Sequence, residues 1–70
     1  MTKVTTNMAG NVWKMLVKEG DKVEEGQDVA ILESMKMEIP VASEASGTVT
    51  VIHKPEGEFV DEGEVLLELE

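Results

Sequence analysis

The 70-residue sequence predicts an all-β fold, a flattened antiparallel β-barrel or sandwich with pseudo-twofold symmetry. Three observations carry this. The six glycines form two sets in one register, Gly10, Gly20 and Gly26 recurring as Gly47, Gly57 and Gly63 at an offset of 37 residues. Apolar and polar residues between them alternate with the period of two that turns one side of a strand toward a core. The turns they mark are so close together that only short elements fit between, too short for stable helices.

The repeat extends beyond glycine. Residues 10–33 slide onto 47–70 with 9 identities in 24 positions, adding Val12/Val49, Glu19/Glu56, Val23/Val60, Glu25/Glu62, Leu32/Leu69 and Glu33/Glu70 to the glycine pairs. Asp21/Glu58, Glu24/Asp61 and Val29/Leu66 are similar pairs, and upstream Val4 aligns with Val41. Repeated glycines mark repeated backbone geometry, because glycine enters φ > 0 without steric cost. Lys54-Pro55-Glu56-Gly57 suits a type I turn with proline second and glycine fourth, and Lys18-Glu19-Gly20-Asp21 holds the corresponding place. Glu25-Gly26 and Glu62-Gly63 mark a second turn in each half.

The elements then follow in order. A strand near 2–6 is placed by Val4, the partner of Val41 in the repeat. The strand near 11–17 contains Val12-Trp13-Lys14-Met15-Leu16-Val17, apolar on both sides, so it is central or covered at one edge. Short extended pieces fall around 22–24 and 59–61; a helical turn in 20–28 or 57–65 is disfavoured by the glycines there. Residues 28–33 form a strand as the counterpart of 65–70. In 37–42, Ile39 and Val41 alternate with Pro40 and Ala42, and in 47–53 Val49 and Val51 lie opposite Thr48 and Thr50. The last strand, 65–70, sets Val65, Leu67 and Leu69 against Leu66, Glu68 and Glu70. Two repeats are too few for a solenoid. The halves are expected to pack face to face as one domain over residues 1–70, and neither should fold alone.

Composition narrows the function. The absence of cysteine excludes a disulfide framework and a thiolate zinc site, and the lone His53 argues against a histidine metal site. No apolar run approaches the roughly 20 residues of a membrane span, and the N-terminus has no signal-peptide pattern. Fifteen acids against six lysines and no arginine give a formal net charge of −9, which argues against nucleic acid. A soluble, cytoplasmic domain, monomeric in isolation, is expected. Residues 1–33 carry a net −2 and residues 34–70 a net −7, so partner surfaces are expected to be basic. No nucleophile–base pair, phosphate loop or metal cluster appears, so the chain is not expected to be an enzyme.

The unrepeated seam between the halves is Glu33-Ser34-Met35-Lys36-Met37-Glu38. Symmetry makes residues 34–36 the hairpin turn between a strand ending near Glu33 and one starting near Met37. Most lysines are only solvated charges; Lys36 stands out because it sits in this seam, the only cation between Lys22 and Lys54. Met35 and Met37 would serve as core filler elsewhere, but as opposite neighbours at a turn they are expected to be exposed and available for recognition. Glu33 and Glu38 bracket the hairpin and can influence partner choice. His53 reads as a surface residue at a strand end, and Trp13 as packing or partial sheet cover.

Glu-Ser-Met-Lys-Met-Glu closely resembles the biotin-attachment motif of the biotinyl/lipoyl family, usually Ala-Met-Lys-Met. Gly-Asp-Lys-Val-Glu-Glu-Gly-Gln, its echo Gly-Glu-Phe-Val-Asp-Glu-Gly-Glu, and Met8-Ala9-Gly10 resemble the same family, so the likeness runs from Val4 to Glu70. It implies a flattened barrel of two four-stranded sheets. It also implies that a biotin protein ligase joins biotin to Lys36 as an amide, Met35 and Met37 helping the enzymes read the hairpin. The carrier would then move a carboxyl group from a biotin carboxylase to a carboxyltransferase acting on an acyl-CoA or a 2-oxo acid. Lipoyl domains of 2-oxo acid dehydrogenase or glycine-cleavage type systems have Asp-Lys-Ala around the lysine, so Met35-Lys36-Met37 favours biotin. Ser34 departs from the usual alanine, which keeps lipoate, alone or alongside biotin, as the alternative adduct. A reading of another class is an unmodified interaction domain. The ungapped 37-residue register leaves no room for the thumb inserted in some acetyl-CoA carboxylase carriers, a likeness to the thumbless carriers of pyruvate or propionyl-CoA carboxylases.

Overall fold

In the computed structural model, which describes residues 2–70, eight strands form two four-stranded antiparallel sheets. They are β1 (Thr2–Thr5), β2 (Gly10–Met15), β3 (Lys22–Val23), β4 (Asp28–Ser34), β5 (Met37–Ala42), β6 (Gly47–Ile52), β7 (Phe59–Val60) and β8 (Val65–Leu69). One sheet runs β1-β8-β6-β3 and the other β5-β4-β2-β7. Among the described residues no helix is long and apolar enough to cross a membrane.

The two sheets are copies at the 37-residue offset. Val12 faces Leu32 across β2 and β4 as Val49 faces Leu69 across β6 and β8, and Gly10 pairs with Val60 as Gly47 pairs with Val23. The halves do not pack face to face as two separate layers, as the repeat alone led one to expect. Each sheet takes two strands from residues 2–34 and two from residues 37–69. The turn after β2 redirects the chain onto the opposite sheet, where the Gly20 N–H donates to the Val49 carbonyl and the Val49 N–H to that of Asp21. Gly57 and Glu58 bond Val12 in the same way. Every apolar identity of the repeat is core: Val12, Val23, Leu32 and their counterparts Val49, Val60 and Leu69 are at most 2% exposed. Burying each such side chain contributes about 1.5–3 kcal/mol.

Bulges depart from simple alternation. Val51 does not share the buried side of Val49 but is 38% exposed, because the ladder shifts between Val49 and Val51. Its counterpart shift between Val12 and Lys14 leaves Trp13 and Lys14 both outward. A second pair of shifts, at Val29 and Leu66, turns consecutive residues inward, so Leu66 and Leu67 are both fully buried rather than on opposite sides. An extra residue bends a strand and increases its twist, which is how short strands curl around so small a core.

The turns also differ from the type I expectation at Lys54–Gly57. The hydrogen bond closes from the Glu58 N–H to the Pro55 carbonyl, one residue later, which puts Gly57 third with φ 92°. A positive φ at the third position is the geometry of a type II turn and calls for glycine. The turns at Gly20, Gly26 and Gly63 close the same way. The repeated pair Glu19/Glu56 sits on two of them and ties the halves together: a Glu56 carboxylate oxygen accepts the Met15 N–H at 3.0 Å, and one from Glu19 accepts that of Ile52 at 3.4 Å. A further twin pair, unmarked by the sequence pattern, is buried: Thr6 donates its hydroxyl to the Met8 carbonyl and Ser43 to that of Ala45. Bonding within two residues satisfies groups that would be costly if buried alone.

Candidate functional site

The β4–β5 ladder positions the seam. Leu32 faces Ile39, Glu33 faces Glu38, and Ser34 faces Met37. Leu32 is buried and Ile39 half-buried, which anchors the hairpin to the core two rungs below its end. The turn is shorter than residues 34–36: Ser34 is the last residue of β4, and only Met35 and Lys36 form the corner. Two-residue loops with both φ values positive match the right-handed twist of paired strands, and Met35 and Lys36 have φ of 52° and 64°.

That geometry favours Asn-Gly, not Met-Lys. A side chain in the left-handed region costs roughly 1–2 kcal/mol, so the hairpin holds two successive side chains in a conformation they do not prefer. Non-glycine residues at positive φ persist where surrounding structure over-determines them, and they cluster at functional sites. Here the β4–β5 ladder imposes the conformation, and the result is a fixed backbone beneath an exposed amine. Met35 is 92% exposed and Met37 61%, so neither fills the core. Lys36 is exposed, and neither ion pair among the described residues involves it. Glu33 and Glu38, both exposed, face each other on neighbouring strands, a like-charge pairing that mildly destabilises a sheet.

The other candidates lie elsewhere. His53 follows β6, exposed, with its Nε2 2.6 Å from a Glu68 carboxylate oxygen. That hydrogen bond, aided by the charges of His53 and Lys3, holds the Glu68 carboxyl below the usual carboxylate range. Glu68 lies in β8 and His53 just after β6, both strands of the sheet opposite the hairpin. Among the described residues no cluster of His, Asp or Glu is suited to a metal ion. Trp13 lies on the outer side of the hairpin sheet, 42% exposed, with the Lys14 ammonium 5.4 Å from its ring centre. The sequence did not single out this face, although comparing Trp13 with its repeat counterpart Thr50 would have drawn attention to it.

What the hairpin provides is a primary amine, exposed at a two-residue corner. A group joined through an amide needs that and no pocket, so the residues fit covalent attachment of an acyl cofactor.

Comparison with known proteins agrees with this architecture. The family model for biotin/lipoyl domains, described as biotin-requiring enzyme, matches residues 2–69. The chain is 62% identical over 66 residues to the biotin/lipoyl attachment protein of Bacillus subtilis, covering 94% of this chain and 90% of that protein. It is 43% identical over 60 residues to the biotin carboxyl carrier protein of Streptococcus mutans, covering 86% of this chain and 46% of that one. The crystal structure of Kluyveromyces lactis urea carboxylase superposes with a TM-score of 0.87 at 32% identity, over 97% of this chain and 6% of that enzyme.

Proposed function

This chain belongs to the biotin/lipoyl family, and from that premise we propose that it is a biotin carrier modified at Lys36. The family relationship supports a carrier rather than a catalyst. The observation that carries the assignment to Lys36 is its place at the left-handed corner of the β4–β5 hairpin, between two exposed methionines.

The residues divide the work simply. Only the neutral amine of a lysine is a nucleophile, so it must shed a proton before it attacks an activated carboxyl. A biotin protein ligase supplies the activated biotin and accepts that proton. The Nζ–carbon bond forms, and the activating group leaves with the electron pair of the bond it held. The product is a neutral amide, which takes the formal net charge from −9 to −10. Met35 and Met37 offer polarisable contacts to the enzymes that read the hairpin, and Glu33, Ser34 and Glu38 define its flanks. Bound biotin supplies a site that carries a carboxyl group between a biotin carboxylase and a carboxyltransferase. Tethering to one fixed corner converts the second encounter into a local one at high effective concentration. The proposal includes a cytoplasmic location and a monomeric free carrier.

A second reading is kept by one observation: the Bacillus subtilis relative is a biotin/lipoyl attachment protein, so lipoate is a rival or additional adduct on the same lysine. Intact-mass analysis after expression with biotin and lipoate supplied tests both. A biotin-sized increment in the wild type and none in Lys36→Arg is expected. A lipoyl-sized increment would transfer the assignment to lipoate, and no increment with competent ligases present would leave an unmodified interaction domain.

A further inference from the structure

The pseudo-twofold provides an internal control, because each sheet shows what the same backbone carries when it is not beside Lys36. Across the outer side of the hairpin sheet, Glu38, Glu33, Asn11 and Phe59 form one row, and Pro40, Ile31 and Lys14 the row two residues further from the turn. Trp13 lies at the bulge between them, with Asn11, Glu33, Glu56 and Gly57 around a shallow groove. On the other sheet the residues equivalent to Trp13, Ile31, Pro40 and Phe59 are Thr50, Glu68, Lys3 and Lys22. One backbone therefore accepts polar residues at all four places. The fold does not require an aromatic and aliphatic face, and the sheet that ends in Lys36 carries the larger one, the exchange running the other way at Lys14, whose counterpart is Val51.

Resting on the carrier reading, we infer that this outer face is the docking surface for the ligase that acylates Lys36, with Trp13 and Phe59 as its anchors. The unmodified lysine is short, so the ligase must approach the hairpin backbone itself, whereas later partners meet a longer arm. A specific interface buries about 800 Å² on each partner, far more than a two-residue turn offers on a molecule with 4400 Å² of accessible surface. The contact must spread along the hairpin, and strands rise about 3.3 Å per residue. The Phe59 row is therefore one rung, and the Ile31 row three rungs, behind Ser34 and Met37. Exposed aromatic residues, tryptophan above all, are the side chains that concentrate binding energy in interfaces.

Charge states the chemistry of the partner. Glu33, Glu38 and Glu56 border the face, and neither ion pair among the described residues involves them. The matching surface is apolar at its centre with lysine or arginine at its edge. A second copy of this chain, itself at a net −9, is a poor match through repulsion.

The test exchanges the anchors for their own twins. Trp13→Thr with Phe59→Lys places on the hairpin sheet the side chains that the equivalent positions already carry, and the single variant Phe59→Lys changes a residue 53% exposed. Biotin transfer by purified ligase is measured against carrier concentration, with Val51→Thr on the opposite sheet as control. Loss of an aromatic anchor is expected to raise KM about tenfold in the double variant and about threefold in Phe59→Lys. The expected kcat is unchanged, and Val51→Thr matches the wild type. A KM for Phe59→Lys and the double variant equal to wild type overturns the inference. So does a wild-type dimer, seen by sedimentation, that becomes monomeric in the double variant while KM stays constant, because the face then serves a second copy. A wild-type chain that a competent ligase leaves unmodified defeats the carrier reading itself, a result distinct from any change in KM among variants.

Discussion

Gly10 and Gly47 belong to the same repeat as the turn glycines but serve a different purpose. A methyl group on Gly10 would stand 2.9 Å from the Glu33 carbonyl oxygen, and one on Gly47 would stand 2.7 Å from that of Glu70. Gly10→Ala therefore forces β2 and β4 apart beside the turn end of the Lys36 hairpin. Overpacking of this kind costs about 1–3 kcal/mol. Urea titration should show a lower midpoint with an unchanged slope, the signature of lost stability without a change in the exposed surface. The sequence identified all six glycines as positions of repeated geometry, and that was sound. It could not separate four turns from two close approaches, because both demands select the same residue and recur at the same offset.

At the level of the element, the hairpin trades stability for presentation. Met35→Asn puts a residue that tolerates the left-handed region at the first corner and should raise the free energy of unfolding by about 1 kcal/mol. The same change removes an exposed thioether, so biotin transfer to Lys36 should slow while thermal stability rises. A variant both less stable and equally well modified would contradict this account of the turn. The strand positions were legible because Ile39/Val41 and Val65/Leu67/Leu69 alternate visibly. The bulges were not. Val51 resembles Val49 in type and spacing, and a bulge alters neither, yet it turns Val51 outward while Val49 stays in the core. The two-residue corner was hidden for a related reason: nothing in Met-Lys favours positive φ, and the conformation is imposed by the paired strands on either side.

At the scale of the molecule, each sheet is completed by strands from both halves, so residues 1–36 and 37–70 made as separate peptides should each give a disordered far-UV circular dichroism spectrum. Mixed, they should recover a β spectrum with a concentration dependence, because assembly then obeys mass action. A native-like spectrum from either peptide alone would refute the interdependence. The repeat made the symmetry legible, but not the exchange of strands between halves. The contacts that decide it, Gly20 with Val49 and Gly57 with Val12, are backbone hydrogen bonds between residues far apart in the chain, and they leave no mark on residue type.

The pairing of β1 with β8 has one more consequence. Thr2 faces Leu69 as Ile39 faces Leu32, so the symmetry mate of the Met35-Lys36 corner is the gap between the outer ends of those two strands. The fold therefore has two corners equivalent by symmetry, and a tight turn joins the strands at the Met35-Lys36 one. Bridging the second corner with another Ser-Met-Lys-Met, the four residues that separate Glu33 from Glu38, and reopening the chain at one of its glycine turns would make a carrier with two arms on one core. The Met35-Lys36 corner is where the fold holds its lysine against a paired ladder, and an amine on an unpaired strand would have no such footing.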